Sequence, residues 1–219
     1  MLRVTLGGEG VATFAAGQQG GYVKLMLPPQ PGSEKSIVRT YTIRNQRADA
    51  IDIDFALHGA GGGSAGPATE WASSVTAGEA IMVGGPGPAK PLPTGADWYI
   101  IAGDMTALPA ISVSLENLPR DARGIAVIEI QHENDRQTID APAGIEIHWL
   151  TNPVPGSQPE LLADTLRNLG WPEGRVYGAE TAKFASIAPV CRQHLSRSAG
   201  RGALFFRKEP PPLRAPVVS

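Results

Sequence analysis

The hydrophobic pattern of this chain changes its period near residue 96, and a single layer of one element type cannot satisfy both patterns. Before that point the apolar residues come in short alternating runs. Leu2, Val4 and Leu6 alternate with Arg3 and Thr5, and Tyr22–Leu27 (YVKLML) and residues 38–43 (VRTYTI) are rich in branched and aromatic side chains. Residues 50–58 (AIDIDFALH) alternate acids with Ile51, Ile53 and Phe55, and residues 79–83 supply another strand. Gly, Pro and Asn clusters punctuate these runs, so the first part predicts a small antiparallel β-barrel. From residue 98 (WYIIA) the runs become continuously apolar, as in strands covered on both faces. Strands at 125–130, 145–150, 175–177 and 203–206 alternate with helical stretches at 106–118, 161–169 and 182–196. That order predicts a parallel sheet with crossover helices. The joint falls at residues 86–95 (PGPAKPLPTG). The expected organisation is a two-domain α+β chain: an antiparallel β-barrel over 1–90, an α/β parallel-sheet domain over 96–209, and a proline-rich tail over 210–219.

With 42% hydrophobic residues the chain can bury a core without disulfides or metal. Its net charge of −2 suggests no bulk attraction to nucleic acid or to a membrane. The balance is uneven: from residue 182 onward seven Lys/Arg face one acid, Glu209, leaving +6 on the end and −8 on the body. Such an end favours an anionic partner, although a solvated basic helix gives the same count. The single cysteine, Cys191, reads as a packed thiol and excludes an internal disulfide. His132, His148 and His194 are scattered without metal-ligand spacing, so no metal site is expected. Asp52 and Asp54 read as the solvated face of a strand. No leader-like start and no run of about 20 apolar residues is seen, which points to a soluble, cytoplasmic chain without a membrane span.

Two segments carry chemistry. On a strand through residues 39–42, Arg39 and Tyr41 point one way and Thr40 and Thr42 the other. A flavin dinucleotide needs such groups: a guanidinium for pyrophosphate, a ring against the isoalloxazine, and a donor near its reactive edge. The same four residues also fit an ordinary strand with an exposed arginine. The second segment is Leu57-His58-Gly59, further glycines, then Gly66-Pro67-Ala68-Thr69-Glu70-Trp71-Ala72. Proline suits the first turn of a helix, and a glycine loop entering a helix N-terminus offers free N–H groups to an anion.

In this order the motifs resemble the siderophore-interacting protein family of flavin reductases, within the ferredoxin-reductase-like superfamily. The similar segments are LRVTLGGEGVATF, YVKLMLP, VRTYTIR (the family's R-x-Y-T), DFALHG with GPATEWA, DWYIIAGDMTALPAI and YGAET. The resemblance implies that Arg39 binds FAD phosphate, Tyr41 stacks on the flavin and Thr42 approaches its reactive nitrogen. His58, Gly66, Pro67, Ala68 and Thr69 would line the rest of the FAD site. Gly103, Asp104 and Thr106 would bind the electron donor, NAD(P)H or a ferredoxin, at the C-terminal edge of the first parallel strand. That loop lacks G-x-G-x-x-G, and a helix cap by Asp104 or Thr106 is the competing reading. The implied activity is transfer of electrons through FAD to a ferric siderophore, with no obligatory protein acid or base. Charge places Lys183 and Arg207 at the substrate mouth. Met105 departs from the acid expected there, and Phe205-Phe206-Arg207 stands where the family often shows Y-W-R. A reductase of the same fold acting on quinones or flavins, and a non-catalytic ferri-siderophore binder, are the alternatives.

Overall fold

The computed structural model describes residues 1–29, 32, 34–57, 66–170, 174–180 and 205–207. The N-terminal half comprises β1 (Leu2–Gly7), the one-turn α1 (Glu9–Ala12), β2 (Tyr22–Leu27), β3 (Ile37–Thr42), β4 (Asn45–Gln46), β5 (Ala50–Phe55), α2 (Pro67–Ser74) and β6 (Met82–Gly87). These strands form two three-stranded antiparallel sheets, ordered β1-β5-β4 and β3-β2-β6. The alternation read from the sequence is what closes the core. Val23, Leu25 and Leu27 of β2 meet Ile51, Ile53 and Phe55 of β5, and Ala68 and Ala72 of α2 cover one end. Between β3 and β4 the chain changes sheets in two residues: Ile43 N–H donates to Gly21 (2.9 Å), and Arg44 N–H to Asp52 (2.8 Å). The expected antiparallel sheets are present, but the ladders among the described residues stop short of a closed barrel.

Two expectations for this half are corrected. The strand set at 79–83 begins instead at Met82 and runs on to Gly87, so that Pro86 and Gly87, assigned to the joint, belong to it. A low-propensity segment holds there because β6 is an edge strand, where proline costs no ladder bond. The Tyr22 ring also covers Gly87 so closely that a Cβ would lie 2.1 Å from it. Asp52 and Asp54 are buried rather than solvated. Asp54 accepts both guanidinium arms of Arg3 at 2.6 and 2.8 Å. Asp52, central in its sheet, accepts from Thr5 on one side (2.8 Å), from Asn45 on the other (3.1 Å), and from Arg47 at 2.7 and 2.9 Å.

The C-terminal half comprises β7 (Trp98–Gly103), α3 (Leu108–Glu116), β8 (Arg123–Ile130), β9 (Gly144–Thr151), α4 (Leu161–Asn168), β10 (Val176–Glu180) and β11 (Phe205–Arg207). The strands make a five-stranded sheet ordered β11-β10-β7-β8-β9, parallel throughout. Alternate residues serve opposite faces. Tyr99, Ile101, Ala126 and Ile128 pack with Leu108, Ile111 and Leu115 of α3, while Ile100, Ile125 and Val127 pack with Leu162, Ala163 and Leu166 of α4. The strand order reverses at β7, so the crevice at the C-terminal ends of β7 and β10 is the natural ligand edge. The helix expected at 182–196, with Lys183, Cys191 and His194, and the tail at 210–219 lie outside the described residues, as does His58.

Candidate functional site

Local sequence explains why β3 presents a polar face. Arg39 and Thr40 are exposed, whereas Tyr41 and Thr42 are half-buried at the end that pairs with β2 (Tyr41 with Val23, Thr42 with Tyr22). The Arg39 guanidinium bonds only its own neighbour's carbonyl, Val38 O (3.0 Å), and has no acidic partner among the described residues. It lies close enough to Tyr41 to act on the phenol electrostatically. Burial pushes the Tyr41 hydroxyl up to about 12, with the Arg39 cation opposing. The phenol is therefore neutral at physiological pH. Its ring packs on Phe55 with centroids 4.3 Å apart at 41°, and Phe55 packs on Trp71 at 5.7 Å and 50°. This aromatic ladder joins β3 through β5 to α2.

At the other end of the ladder, α2 starts where the Gly-Pro signature placed it, with Pro67 in the first turn. Gly66 is extended (φ −71°, ψ 159°), and no side chain caps the helix. The first intrahelical bond runs from Glu70 N–H to Gly66 O at 3.0 Å. The N–H groups of Ala68 and Thr69 therefore remain as donors at a positive helix end. Among the described residues nothing lies within 4 Å of where a Gly66 Cβ would stand. The half-buried Tyr41 ring and Ala68 of the uncapped helix start belong to one apolar cluster, and Arg39 stands two residues from Tyr41 on β3. That set fits the pyrophosphate and ring system of a flavin dinucleotide.

The edge of the parallel sheet is a second polar region. After β7, Asp104 Oδ1 accepts from Thr106 N–H (2.9 Å), Thr106 Oγ1 (2.5 Å) and Ala107 N–H (3.3 Å). Asp104 thus closes the turn ahead of the helix rather than capping it: α3 begins at Leu108, not residue 106, and its N-cap, Ala107, has no side-chain cap. Buried Met105 turns its sulfur toward the end of β8, accepting from Gln131 N–H at 3.3 Å. Sequence reasoning missed Glu129, although a single acid in the run IAVIEI was a visible signal. Glu129 Oε1 accepts from Asn152 at 2.8 Å, and its buried Oε2 has no hydrogen-bond partner among the described residues. Burial, chiefly, raises this carboxyl above its ordinary value, the Asn152 bond opposes the rise, and the charge of Asp104 adds to it. Gly103, Asp104 and Thr106 therefore do lie together on the C-terminal edge, whereas Lys183 lies outside the described residues. Arg207 ends β11 in register with Glu180 of β10, on the same edge of the sheet. His132 caps a short 3-10 turn and His148 pairs with Glu146 (3.3 Å), in keeping with structural and surface roles. Among the described residues no helix is long and apolar enough to cross a membrane.

Comparison with known proteins connects both regions. Residues 29–90 match the model of the siderophore-interacting FAD-binding domain, and residues 96–201 match that of the siderophore-interacting protein. Ferric vibriobactin reductase ViuB of Vibrio cholerae is 35% identical over 192 residues, spanning 80% of this chain and 69% of that protein. A siderophore utilization protein from T. fusca superposes with a TM-score of 0.77 at 32% identity, over 93% of this chain and 83% of the other. SipS, the siderophore-interacting protein of Aeromonas hydrophila, gives 0.72 at 32% identity, covering 94% and 80%. The cytochrome b5 reductase domain of Ulva prolifera nitrate reductase (TM-score 0.62, 14% identity, covering 93% and 90%) and ferredoxin-NADP+ reductase from Plasmodium falciparum (0.55, 14%, covering 91% and 84%) share the fold. The chain belongs to the siderophore-interacting protein family.

Proposed function

We propose that this chain is an FAD-dependent oxidoreductase that passes electrons to iron held by a siderophore, and that it acts in the cytoplasm. The family match carries the reading, supported by the unpaired Arg39, the neutral Tyr41 ring and the uncapped start of α2. Residues 1–90 act as the FAD module, rolled towards a barrel, and residues 96–209 as the donor-side module. Arg39 neutralises pyrophosphate charge, the Ala68 and Thr69 N–H groups bind its oxygens, and Gly66 and Pro67 keep that approach open. Tyr41, fixed by Phe55, holds the plane of the isoalloxazine, with Thr42 at its reactive edge and His58 completing the lining. FAD, when bound, supplies the conversion between a two-electron donor and a one-electron acceptor. Gly103, Asp104 and Thr106 receive the donor, NAD(P)H or a ferredoxin, while Lys183 and Arg207 meet the anionic ferric complex. Reduction releases the metal because hard oxygen ligands that suit Fe(III) hold Fe(II) less well.

The test is anaerobic. Purified protein carrying FAD is mixed with NADH, NADPH or reduced ferredoxin in turn, then with a ferric siderophore and a ferrous-specific chelator. The reading expects bleaching of the flavin bands by one donor, and their return with stoichiometric ferrous chelate. A protein that binds no FAD, or whose reduced form leaves ferric siderophores untouched, would falsify it.

A further inference from the structure

The two halves meet at several points, among them the Met1 ammonium on Asp135 (3.1 Å), and two of these points touch segments that carry the proposed chemistry. At the first, Arg44, two residues beyond Thr42, reaches across to Glu116, the last residue of α3. Its two terminal nitrogens donate to the two carboxylate oxygens at 2.6 and 2.9 Å. The Arg44 side chain is only 10% exposed and that of Glu116 26%, so the pair is shielded from water and salt. Beside it Gly20, at φ +76°, lets Val113 of α3 approach. A Cβ there would lie 3.0 Å from Val113 Cγ1. Gly20 N–H donates to Ile43 O (2.9 Å), so the contact belongs to the same sheet corner as Arg44. At the second point, Gln131 at the end of β8 donates through Nε2 to Leu57 O (3.0 Å) and toward Met105 Sδ (3.5 Å). Leu57 opens the segment leading to His58, and Met105 lies in the donor-side turn.

We infer that Arg44–Glu116 and Gln131–Leu57 form a two-point clamp that sets the position of the donor-side turn against the flavin-side strand. Arg44 holds the C-terminal end of α3 at Glu116, and Gln131, which also reaches Met105, ties Leu57 to the turn that precedes Leu108, so the two contacts address opposite ends of a helix about 12 Å long. A bidentate arginine–carboxylate pair specifies orientation, which a lysine in the same place would not. Arg44 and Glu116 are positioning residues, since neither lies among the groups assigned to cofactor or substrate.

The clamp rests on the flavin-reductase reading only for its kinetic consequence, so the experiment has a geometric arm and a kinetic arm. In a Cys191→Ser background, nitroxides on Lys24→Cys and Glu146→Cys, both exposed positions, report the distance between the halves by pulsed electron resonance. Glu116→Gln and Gln131→Ala are expected to broaden that distribution, with FAD content unchanged. The double reversal Arg44→Glu with Glu116→Arg is expected to narrow it again. In stopped flow, Glu116→Gln is expected to slow flavin reduction by the physiological donor about ten- to a hundredfold, the cost of a misplacement near 1 Å. Reduction by dithionite, which needs no docking, should be unchanged. Distance distributions like the parent's in both single variants would overturn the clamp, whatever the kinetics. If the distributions broaden but no nicotinamide or ferredoxin donor reduces even the parent protein, the clamp stands and the donor reading fails.

Discussion

Arg39 is the residue on which the cofactor assignment can be tested most directly, because among the described residues its guanidinium is tied to nothing but an adjacent carbonyl. Its removal should therefore leave the fold intact and act on the ligand. We expect Arg39→Ala to weaken FAD binding about ten- to a hundredfold, the usual cost of losing one charge-assisted hydrogen bond. Fluorescence titration of the apoprotein reads this, and unchanged affinity would move the pyrophosphate elsewhere. Tyr41 should behave differently. Its ring rests on Phe55 at 4.3 Å, so Tyr41→Phe keeps the platform and Tyr41→Ala removes it. The first should preserve the bound flavin spectrum and the second should shift it and change its fluorescence quenching. Identical spectra for all three proteins would exclude stacking. Both residues were singled out in the sequence by the resemblance of VRTYTIR to R-x-Y-T, and the structure places them on β3, as the strand pattern expected. Glu129 was passed over because its importance lies in an orphaned oxygen that only packing creates.

Among the elements, β5 buries Asp52 and β8 buries Glu129, with opposite consequences for stability. Arg47 first, then Asn45 and Thr5, hold the Asp52 carboxyl well below its ordinary range, against the opposing effect of burial. A depressed value in the folded state gives stability that is full above the unfolded value of about 4 and fades as pH falls through the folded one. Asp52→Asn should therefore cost about 1–3 kcal/mol at pH 7, with the difference from the parent shrinking toward pH 2. Glu129 is raised by burial, so deprotonation works against folding as pH climbs past the ordinary glutamate value. Glu129→Gln should leave stability unchanged or raise it at pH 8. Urea unfolding across pH 3–8 reads both, and parallel pH profiles for all three proteins would refute the assignment. Alternation drew β5 correctly but misjudged its polar face, because period two says which residues share a side and nothing about what covers it. Arg3 and Arg47, from elsewhere in the chain, supply that cover. The same blindness to partners misplaced β6, whose Gly-Pro run is held by pairing with β2 and by the Tyr22 ring.

For the whole molecule the governing quantity is the uneven charge, −8 over the body against +6 from residue 182 onward. An anionic ferric complex approaching such a surface is repelled except near the basic segment, so productive encounters should be steered there. The parallel topology gives that steering a place. Strand β11 lies beside β10, and its last residue, Arg207, is in register with Glu180 at the C-terminal edge that also carries Gly103 and Asp104. Lys183 follows β10 by three residues. Steering acts over the Debye length, about 10 Å at 0.1 M salt and about 3 Å at 1 M, so its signature is a salt dependence rather than a fixed loss. Replacing Lys183 and Arg207 together with alanine should raise the apparent KM for an anionic ferric siderophore several-fold at low salt and much less at 1 M. FAD content and the rate of flavin reduction by the donor should stay as in the parent. A neutral ferric complex should show no such change, which separates charge steering from damage to the sheet edge. Parent-like kinetics with the anionic complex at low salt would place the docking surface away from this edge.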